Sequence, residues 1–552
     1  MTQREWLWAF LWAMAALAIT SVPYLLGAAL SSFECVFGGF VIGVEDGYSY
    51  LAKMGEGARG AWLFHVVYTS EPHEPALFFL FHILLGKIAA LVASPGGWPL
   101  TETMVVVYHI ARIVFGVLLL LTVYRFTAMF TSSRAVRRLA FLIVTFSGGL
   151  GWLLLLMGQP NWLGYAPVDL LLPEGFTFMV LYGFPHIALG RILLLMGFIA
   201  LWNTLIPNPF PYKGEERWWV AGLCWLTMGL IVPFYVAVVY AVAGSAWLVV
   251  TIRRHKIVWI KTLHTALACL IASPIVIYGL IVFTVNPVMR QWSAQNLILS
   301  PHPLHYVMGY ALVGLLAVLG AICVLRQRDE MRLRLVAWAI VVPPLLYLPF
   351  NLQRRLIEGW QVPLAILAAL GLVRFVLPVW RRWRLVRWLI RFPRYSARGL
   401  TRWAITLILM AMVPTYILLL GSGTLVVISR AAPIFREGGE VRALDWLSTR
   451  VTYDDVVLSS YESGNYLPAR VGARVFICLG TETAHIEEKR TLMKRFFDPS
   501  TLDDWRAQFL DEYHITYVFV TPEDEFSVSS TNSLLPIYQV EGYTVYQVIG
   551  GT

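Results

Sequence analysis

Residues 43–54 read Gly-Val-Glu-Asp-Gly-Tyr-Ser-Tyr-Leu-Ala-Lys-Met, and they follow the first strongly apolar run of the chain. A run of that length is expected to cross a membrane, so Glu45 and Asp46 come directly after hydrocarbon. An ionised carboxylate in such a place is costly and is usually retained for a function. We therefore predict that the two acids belong to a functional site on the outer side of a membrane.

The composition is that of a chain whose surface lies in lipid. Hydrophobic residues make up 58% of the 552, charged residues make up 14%, and the mean hydropathy is +0.66, whereas soluble domains are about a quarter charged. The net charge of +10 does not indicate a nucleic-acid partner, because Arg and Lys cluster in short connectors between apolar runs. The cysteines form no CxxC pair and no His/Cys metal spacing, so they indicate no function.

The apolar runs predict an α-helical polytopic membrane protein with about eleven spans of roughly 20 residues each. The first is a retained signal-anchor that begins near Trp6. The others are residues 104–130, 139–157, 186–206, 217–234, 235–252, 257–284, 305–326, 335–350, 361–378 and 402–424.

The basic residues predict the orientation of an integral plasma-membrane protein. Arg4 places the N-terminus in the cytoplasm, and the connector clusters fall on the same side. They are Arg134, Arg137 and Arg138; Lys213 and Arg217; Arg253, Arg254, Lys256 and Lys261; and Arg326, Arg328, Arg332 and Arg334. A last run, eight Arg residues interleaved with Trp over residues 381–403, predicts an interfacial helix on anionic lipid.

Three outer segments, residues 31–103, 158–185 and 285–304, are longer than simple turns, and long ordered loops are usually functional. The first includes an apolar piece, residues 75–92, which is expected to form a helix in the membrane interface. From about residue 430 the sequence changes to alternating strand and helix patterns, which predict a small α/β domain. The predicted strands are residues 456–458, 475–477 and 517–520, and the predicted helices are residues 441–450, 486–497 and 505–513. We therefore divide the chain into a transmembrane domain, residues 1–429, and an extracytoplasmic domain, residues 430–552.

The first outer segment carries a second polar group. Residues 68–75 read Tyr-Thr-Ser-Glu-Pro-His-Glu-Pro, with His65 just ahead of them. Acids and histidines beside a bilayer suit a divalent cation (Mg, Mn or Zn) or an acid/base pair. Two simpler interpretations remain open. Asp46 can be the N-cap of a helix that starts at Gly47, and the loop can be merely polar and stiffened by proline.

The acidic pair after the first span, with Tyr48, Ala52 and Met54 behind it, resembles the start of the GT-C glycosyltransferases. The aminoarabinose transferases and protein O-mannosyltransferases are the most similar families. The resemblance covers about the first 130 residues and includes the prolyl turn at residues 71–75, the interfacial helix and Arg112 in the second span. It implies a GT-C-like membrane domain.

The resemblance also implies a reaction. A sugar would move, with inversion, from a polyprenyl-phosphate donor to a glycan, lipid or protein acceptor on the outer face. Asp46 or Glu45 would be the base that deprotonates the acceptor hydroxyl. The order is Glu-Asp here and commonly Asp-Glu in those families, so the choice between the two acids stays open. The candidate metal ligands are Glu71, His73, Glu74 and His186, and an alternative for His186 is a packing role at the start of its helix.

The departing phosphate needs cations held in place. Arg354 and Arg355, at an outer span end, are the first candidates, and the alternatives for them are a lipid headgroup or a pair with Glu358. The other candidates are Arg191 for phosphate, and Tyr48, Glu174, His302 and His305 for the acceptor or substrate cavity.

Two other classes of protein agree less well with this pattern than a transferase does. A transporter or flippase of lipid-linked saccharides would need charges inside the spans and usually a repeat, whereas the charges here lie in loops. A sensor anchored by its spans would not need about eleven of them.

Overall fold

The computed structural model describes residues 1–204, 217–327, 329–392, 394–478, 480–524, 526 and 533–549, and these are mostly helical. Lys213 and Arg328, part of the predicted cytoplasmic charge pattern, lie outside the described residues. The helices of the first half are α1 Gln3–Leu30, α2 Val44–Ala58, α3 Leu80–Gly96, α4 Leu100–Thr127, α5 Arg134–Phe146, α6 Gly151–Leu156, α7 Val168–Leu171, α8 Thr177–Gly183, α9 Pro185–Thr204, α10 Trp218–Ile231, α11 Tyr235–Arg254 and α12 Trp259–Val285.

The second half adds twelve further helices and most of the strands. The helices are α13 Pro287–Gln295, α14 Leu304–Gln327, α15 Glu330–Leu345, α16 Gln361–Gly371, α17 Leu377–Arg382, α18 Arg384–Leu389, α19 Ala397–Met410, α20 Pro414–Ser429, α21 Gly438–Ser448, α22 Tyr461–Arg470, α23 Ile486–Phe497 and α24 Asp503–Glu512. The strands are β1 Cys35–Phe37, β2 Phe435–Glu437, β3 Val456–Leu458, β4 Arg474–Val475, β5 Tyr517–Val520, β6 Leu534–Val540 and β7 Tyr543–Val548.

Within the described ranges, eight helices are long and apolar enough to cross a membrane, or nine if the bent pair α19–α20 forms one span. Residues 134–156, which include α5 and α6, and residues 353–382, which include α16 and α17, each count as one helix. The chain is therefore an integral membrane protein. The predicted number was about eleven, and the difference lies in two helices. α10 has 14 residues and α15 has 16, which at 1.5 Å per residue is less than the roughly 30 Å hydrocarbon layer.

The chain forms two compact units, and the first comprises residues 1–21, 111–279 and 298–422. Its helices approach closely where glycine allows it. A Cβ on Gly320 of α14 would lie 1.9 Å from the Leu367 carbonyl oxygen, and one on Gly371 of α16 would lie 2.2 Å from the Leu316 oxygen. Only a residue without a side chain permits this contact, so the α14–α16 pair depends on both glycines.

The second unit comprises residues 22–110, 280–297 and 423–552. In it β1 pairs antiparallel with β2, so the segment after the first span forms a two-stranded sheet with the start of the C-terminal region. The other sheet has the order β4-β3-β5-β7-β6, with β3 parallel to β4 and β5, and β7 antiparallel to β5 and β6.

The C-terminal elements predicted from the sequence are present. The predicted strands at residues 456–458 and 517–520 and the predicted helix at residues 486–497 have the observed bounds. The predicted domain boundary at residue 429 stays a prediction. The packing joins residues 22–110 to the C-terminal region in one unit, because β1 finds its strand partner there.

Candidate functional site

The acidic pair lies in the first turn of α2, and both side chains are exposed. If Asp46 were the N-cap, the helix would start at Gly47, but it starts at Val44. Its N-cap is Gly43, whose left-handed backbone (φ 57°) begins the helix at Val44 without a side-chain cap. Asp46 as N-cap is therefore wrong, because a glycine already provides the turn at this position. Two carboxylates in the first turn are favoured by the positive end of the helix dipole.

The two acids act on different neighbours. The charge of Asp46 acts on Tyr68, at the start of the polar loop, whereas the charge of Glu45 acts on Tyr461 in α22. Burial raises the pKa of Tyr68 well above its ordinary value, and nearby negative charges, including that of Asp46, raise it further. Of the two acids, Asp46 is therefore the one whose charge acts on the polar loop at residues 68–75.

Behind the acids, α2 presents a buried face. Tyr48, a candidate for the substrate cavity, is fully buried, its hydroxyl donates to the Pro433 carbonyl oxygen at 2.6 Å, and its ring lies 4.8 Å from that of Tyr466. A role of Tyr48 toward substrate stays a prediction. Its observed contacts hold α2 against the C-terminal part of the second unit.

A buried ion pair holds the middle of α2. Lys53, only 1% exposed, donates to Glu482 at 2.7 Å and lies 4.3 Å from the centre of the Phe79 ring. Ser49 also donates to the same Glu482 oxygen, at 3.1 Å. The sequence predicts no such pair, and its one signal is that Lys53 is the sole cation between Arg4 and Arg59.

Replacing Lys53 with Met is expected to lower the free energy of unfolding by about 2 kcal/mol, because a buried carboxylate loses its cation. The measurement is thermal unfolding of the purified protein in detergent. Lys87→Met is the matched control, since Lys87 is only half-buried, donating to the Gly60 oxygen and lying over Trp62, and we expect a loss below about 1 kcal/mol. Equal losses in the two variants would contradict a special role for the buried pair.

Glu56 is buried near the end of α2, with its Oε1 atom 3.7 Å from the Nδ1 atom of His65. Its Oε2 atom accepts a hydrogen bond from the His65 backbone nitrogen at 3.1 Å, and its Oε1 atom has no hydrogen bond within the described residues. Burial raises the pKa of Glu56 to about 8, so the folded protein holds this proton at neutral pH.

The wild-type protein is expected to lose stability at high pH as Glu56 ionises, and Glu56→Gln is expected to remove that loss. From about pH 4.5 to about pH 8 the folded state binds more protons than the unfolded chain, so the free energy of unfolding falls as pH rises. The variant should melt like the wild type near pH 5 and several degrees above it near pH 9. Glu45→Gln, a change at an exposed acid, serves as control. Parallel pH profiles of wild type and Glu56→Gln would contradict the assignment.

The predicted metal ligands of the first loop are engaged by other groups. Lys489 donates to Glu71 at 2.7 Å and Thr69 donates to it as well. Burial alone would raise the pKa of Glu71, but the charge and hydrogen bonds of Lys489, with the bond from Thr69, outweigh it and lower this pKa. Both ring nitrogens of His73 contact the backbone. Nδ1 lies 2.9 Å from the backbone oxygen of Glu71, and Nε2 accepts a hydrogen bond from the backbone nitrogen of Val66 at 2.9 Å.

The donor set therefore does not fit a metal ion as it stands. A histidine ligand needs a ring nitrogen with a free lone pair, and His73 has none. Glu74 is exposed, and no three His, Cys, Asp or Glu side chains come together as a metal site in the described parts of the chain. The divalent cation and its ligands Glu71, His73, Glu74 and His186 stay predictions.

In the first unit, Arg191 lies in a buried cluster of hydrogen-bond acceptors. Its guanidinium is fully buried and donates to both oxygens of Glu358, at 2.5 and 3.0 Å, and to Thr177 at 2.9 Å. It also donates to the backbone oxygens of Pro173 and Glu174, at 3.3 and 2.7 Å. These contacts tie residues 173–177 to the start of the span that holds Glu358.

The other two predicted phosphate ligands are more accessible. Arg355 is 36% exposed, and its Nε atom lies 3.8 Å from Glu174. Glu358, the alternative partner considered for the two arginines, pairs with Arg191. Burial raises the pKa of Glu174, and the charge of Arg355 partly offsets this. Arg354 lies over the Tyr165 ring at 5.4 Å, and its Nε atom has no hydrogen-bond partner within the described residues.

The three candidate histidines of this unit differ in burial. His305 is 1% exposed and lies between the rings of Trp162 and Tyr165, at 5.3 and 5.8 Å. His302 is exposed, and its Nδ1 accepts from the Leu304 nitrogen at 3.3 Å. His186 is 9% exposed in the first turn of α9. Their roles toward a substrate or metal stay predictions.

Arg112, which the resemblance placed in the second span, is buried in α4. It donates to the Leu181 carbonyl oxygen at 2.9 Å and to the Ser21 hydroxyl at 2.7 Å. In this structure it links α1, α4 and α8.

Comparison with known proteins gives structural matches only. No protein-family model matches the sequence, and no curated protein matches it significantly. ArnT from Cupriavidus metallidurans bound to undecaprenyl phosphate matches with a TM-score of 0.52 and 12% identity, over 99% of this chain and 98% of that one. The apo oligosaccharyltransferase of Archaeoglobus fulgidus matches with a TM-score of 0.53 and 13% identity, over 94% of this chain and 70% of that one.

The chain has the GT-C glycosyltransferase fold. The predicted resemblance to GT-C transferases and the predicted fold class, a polytopic helical protein with a small C-terminal β-sheet region, are therefore confirmed. At identities of 12–13% the likeness concerns the fold, so the reaction is argued separately.

Proposed function

We propose that this GT-C chain is a glycosyltransferase that moves a sugar from a polyprenyl-phosphate-linked donor to an acceptor on the outer face of the plasma membrane. The observation that carries the proposal is the match to ArnT bound to undecaprenyl phosphate, which extends over nearly the whole of both chains. A structure of the archaeal oligosaccharyltransferase AglB also holds dolichol-phosphate. The charge pattern supports a cytoplasmic N-terminus and an extracytoplasmic C-terminal region.

In the proposed reaction Asp46 is the general base. An alcohol is a poor nucleophile at neutral pH, so a carboxylate within hydrogen-bond reach takes its proton as the oxygen attacks the sugar carbon. The bond from that carbon to the donor phosphate breaks in the same step, and polyprenyl phosphate leaves. A single displacement of this kind inverts the configuration. Asp46 is exposed, and its charge reaches Tyr68, which favours it over Glu45.

Arg354 and Arg355 are proposed to bind the leaving phosphate. Arg355 is partly exposed, and Arg354 keeps an unbonded nitrogen within the described structure. Guanidinium groups suit phosphate oxygens because they offer several donors in one plane. Arg191 is left out of this proposal, since Glu358, Thr177 and backbone oxygens take its donors. Glu174, His302, His305 and Tyr48 are kept as candidates for the acceptor cavity.

No step of the proposed mechanism runs through a metal ion. A structure of the archaeal enzyme holds Zn and sulfate, and a divalent cation enters the proposal only as a cofactor of the polar loop at residues 68–75. The observed partners of Glu71 and His73 would have to move for either to bind it.

The test compares the lipids and glycans of cells with and without the protein by mass spectrometry. Loss of the chain is expected to accumulate one polyprenyl-phosphate sugar and to remove that sugar from one acceptor. Purified protein in vesicles should then release polyprenyl phosphate from the accumulated donor when the acceptor is supplied. Movement of the intact donor across the bilayer, with no covalent product, would instead establish a flippase.

A further inference from the structure

A basic pocket lies in the first unit, and none of the candidate catalytic, metal or phosphate residues lines it. It lies between α9, α11, α12 and α15 and has a small cavity volume of about 30 Å³. Its walls are largely apolar and include Trp202, Ala243 and Val250. Four cations line it: Arg254, Lys256, Lys261 and Arg334. None of its described lining residues is acidic.

The charge of this pocket is only partly compensated. Glu330 neutralises Arg254 through two hydrogen bonds, of 2.8 and 2.5 Å. Arg334 is 5% exposed, yet it donates only to the Met331 sulfur at 3.2 Å and lies 5.7 Å from the Trp202 ring, with no carboxylate within 4 Å in the described structure. The charges of Glu330 and Asp329 also act on Arg334, but the Glu330 carboxylate is already paired with Arg254. The buried guanidinium is therefore only partly compensated, which points to an anionic partner from outside the chain.

The mouth of the pocket has the character of a membrane interface. α11 and α12 are both long and apolar enough to cross a membrane, and the connector between them holds exposed Lys256. Next to it Trp259 is 74% exposed and Ile257 is 43% exposed. Tryptophan and apolar side chains beside lysine are typical of the headgroup level. Basic pockets between transmembrane helices on the cytoplasmic side bind anionic lipid headgroups.

We propose that this pocket binds the phosphate headgroup of an anionic phospholipid. Arg334, Lys256 and Lys261 hold the phosphate, and an acyl chain lies along the half-buried Val250. The inference does not depend on the proposed transferase activity, since its ligand is a component of the bilayer.

The test is a binding measurement on delipidated full-length protein in detergent, by native mass spectrometry with phosphatidylglycerol and phosphatidylcholine. We expect preferential binding of phosphatidylglycerol. Arg334→Gln and Lys256→Gln should each weaken it about fivefold, as removal of roughly 1 kcal/mol per cation implies. Arg253→Gln is the matched control, since it removes the same charge from α11 outside the pocket lining and should leave binding unchanged.

Lys256→Gln keeps the test decisive if Arg334→Gln fails to fold, because Lys256 is exposed. Equal affinity for the two phospholipids would overturn the proposal, and so would equal weakening by Arg253→Gln. Binding of undecaprenyl phosphate in place of phosphatidylglycerol, with the same dependence on Lys256, would overturn the assignment to a phospholipid.

Discussion

Asp46→Asn is expected to lower kcat for sugar transfer by about 10²–10⁴-fold, the contribution of a positioned general base. Asparagine has the same size and keeps the hydrogen-bonding shape, but it cannot take the acceptor proton. The side chain is exposed in the first turn of α2, so the variant should fold. The measurement is single-turnover transfer by purified protein, with donor binding measured separately and expected to be unchanged.

Glu45→Gln is the matched control, because it removes the neighbouring carboxylate from the same exposed helical turn. We expect its kcat to change only a few-fold. The acid limb of the pH–rate profile should remain in this variant and disappear in Asp46→Asn. A large loss in Glu45→Gln alone would make Glu45 the base, and full activity in both variants would exclude the pair from catalysis.

The elements of the C-terminal region could be predicted because their signals are local. The strand at residues 517–520 is a run of β-branched and aromatic residues, and the helix at residues 486–497 is bounded by turn signals on both sides. Such patterns depend on a few consecutive residues. The helical membrane fold could be predicted from span-length apolar runs, which are also local, whereas its GT-C character was implied by the resemblance of the acidic pair and the residues after it to known families.

Contacts between distant residues had no comparable signal. β1 pairs with β2 about four hundred positions away, and Lys53 of α2 finds Glu482. Residues so far apart form no repeating pattern in a single sequence, so the partner of each could not be predicted. The same holds for Lys489, whose contact with Glu71 turns a predicted metal ligand into half of an ion pair.

The start of α2 was mispredicted for a different reason. Asp46 is a good N-cap residue, but Gly43 adopts the left-handed conformation three positions earlier and begins the helix there. Asp46 thereby moves into the first turn. A helix boundary depends on backbone conformation as well as on the preference of one side chain.

Arg191→Met is expected to lower the free energy of unfolding by about 3–5 kcal/mol, because it leaves the carboxylate of Glu358 buried without its cation. Both side chains are 0% exposed, and Arg191 also bonds Thr177 and two backbone oxygens. The measurement is thermal unfolding in detergent. Arg355→Met is the matched control, since Arg355 is partly exposed and 3.8 Å from Glu174, and we expect a loss below about 1 kcal/mol.

The double variant Arg191→Met with Glu358→Leu separates the pair from its surroundings. Removing both charges leaves no unpaired ion, so the loss should be smaller than the sum of the two single losses. The same variants decide between the two interpretations of Arg191. If Arg191 has only a structural role, the folded fraction of Arg191→Met should bind donor normally, whereas Arg355→Met should lose donor affinity. Unchanged melting of Arg191→Met with lost donor affinity would make Arg191 a phosphate ligand after all.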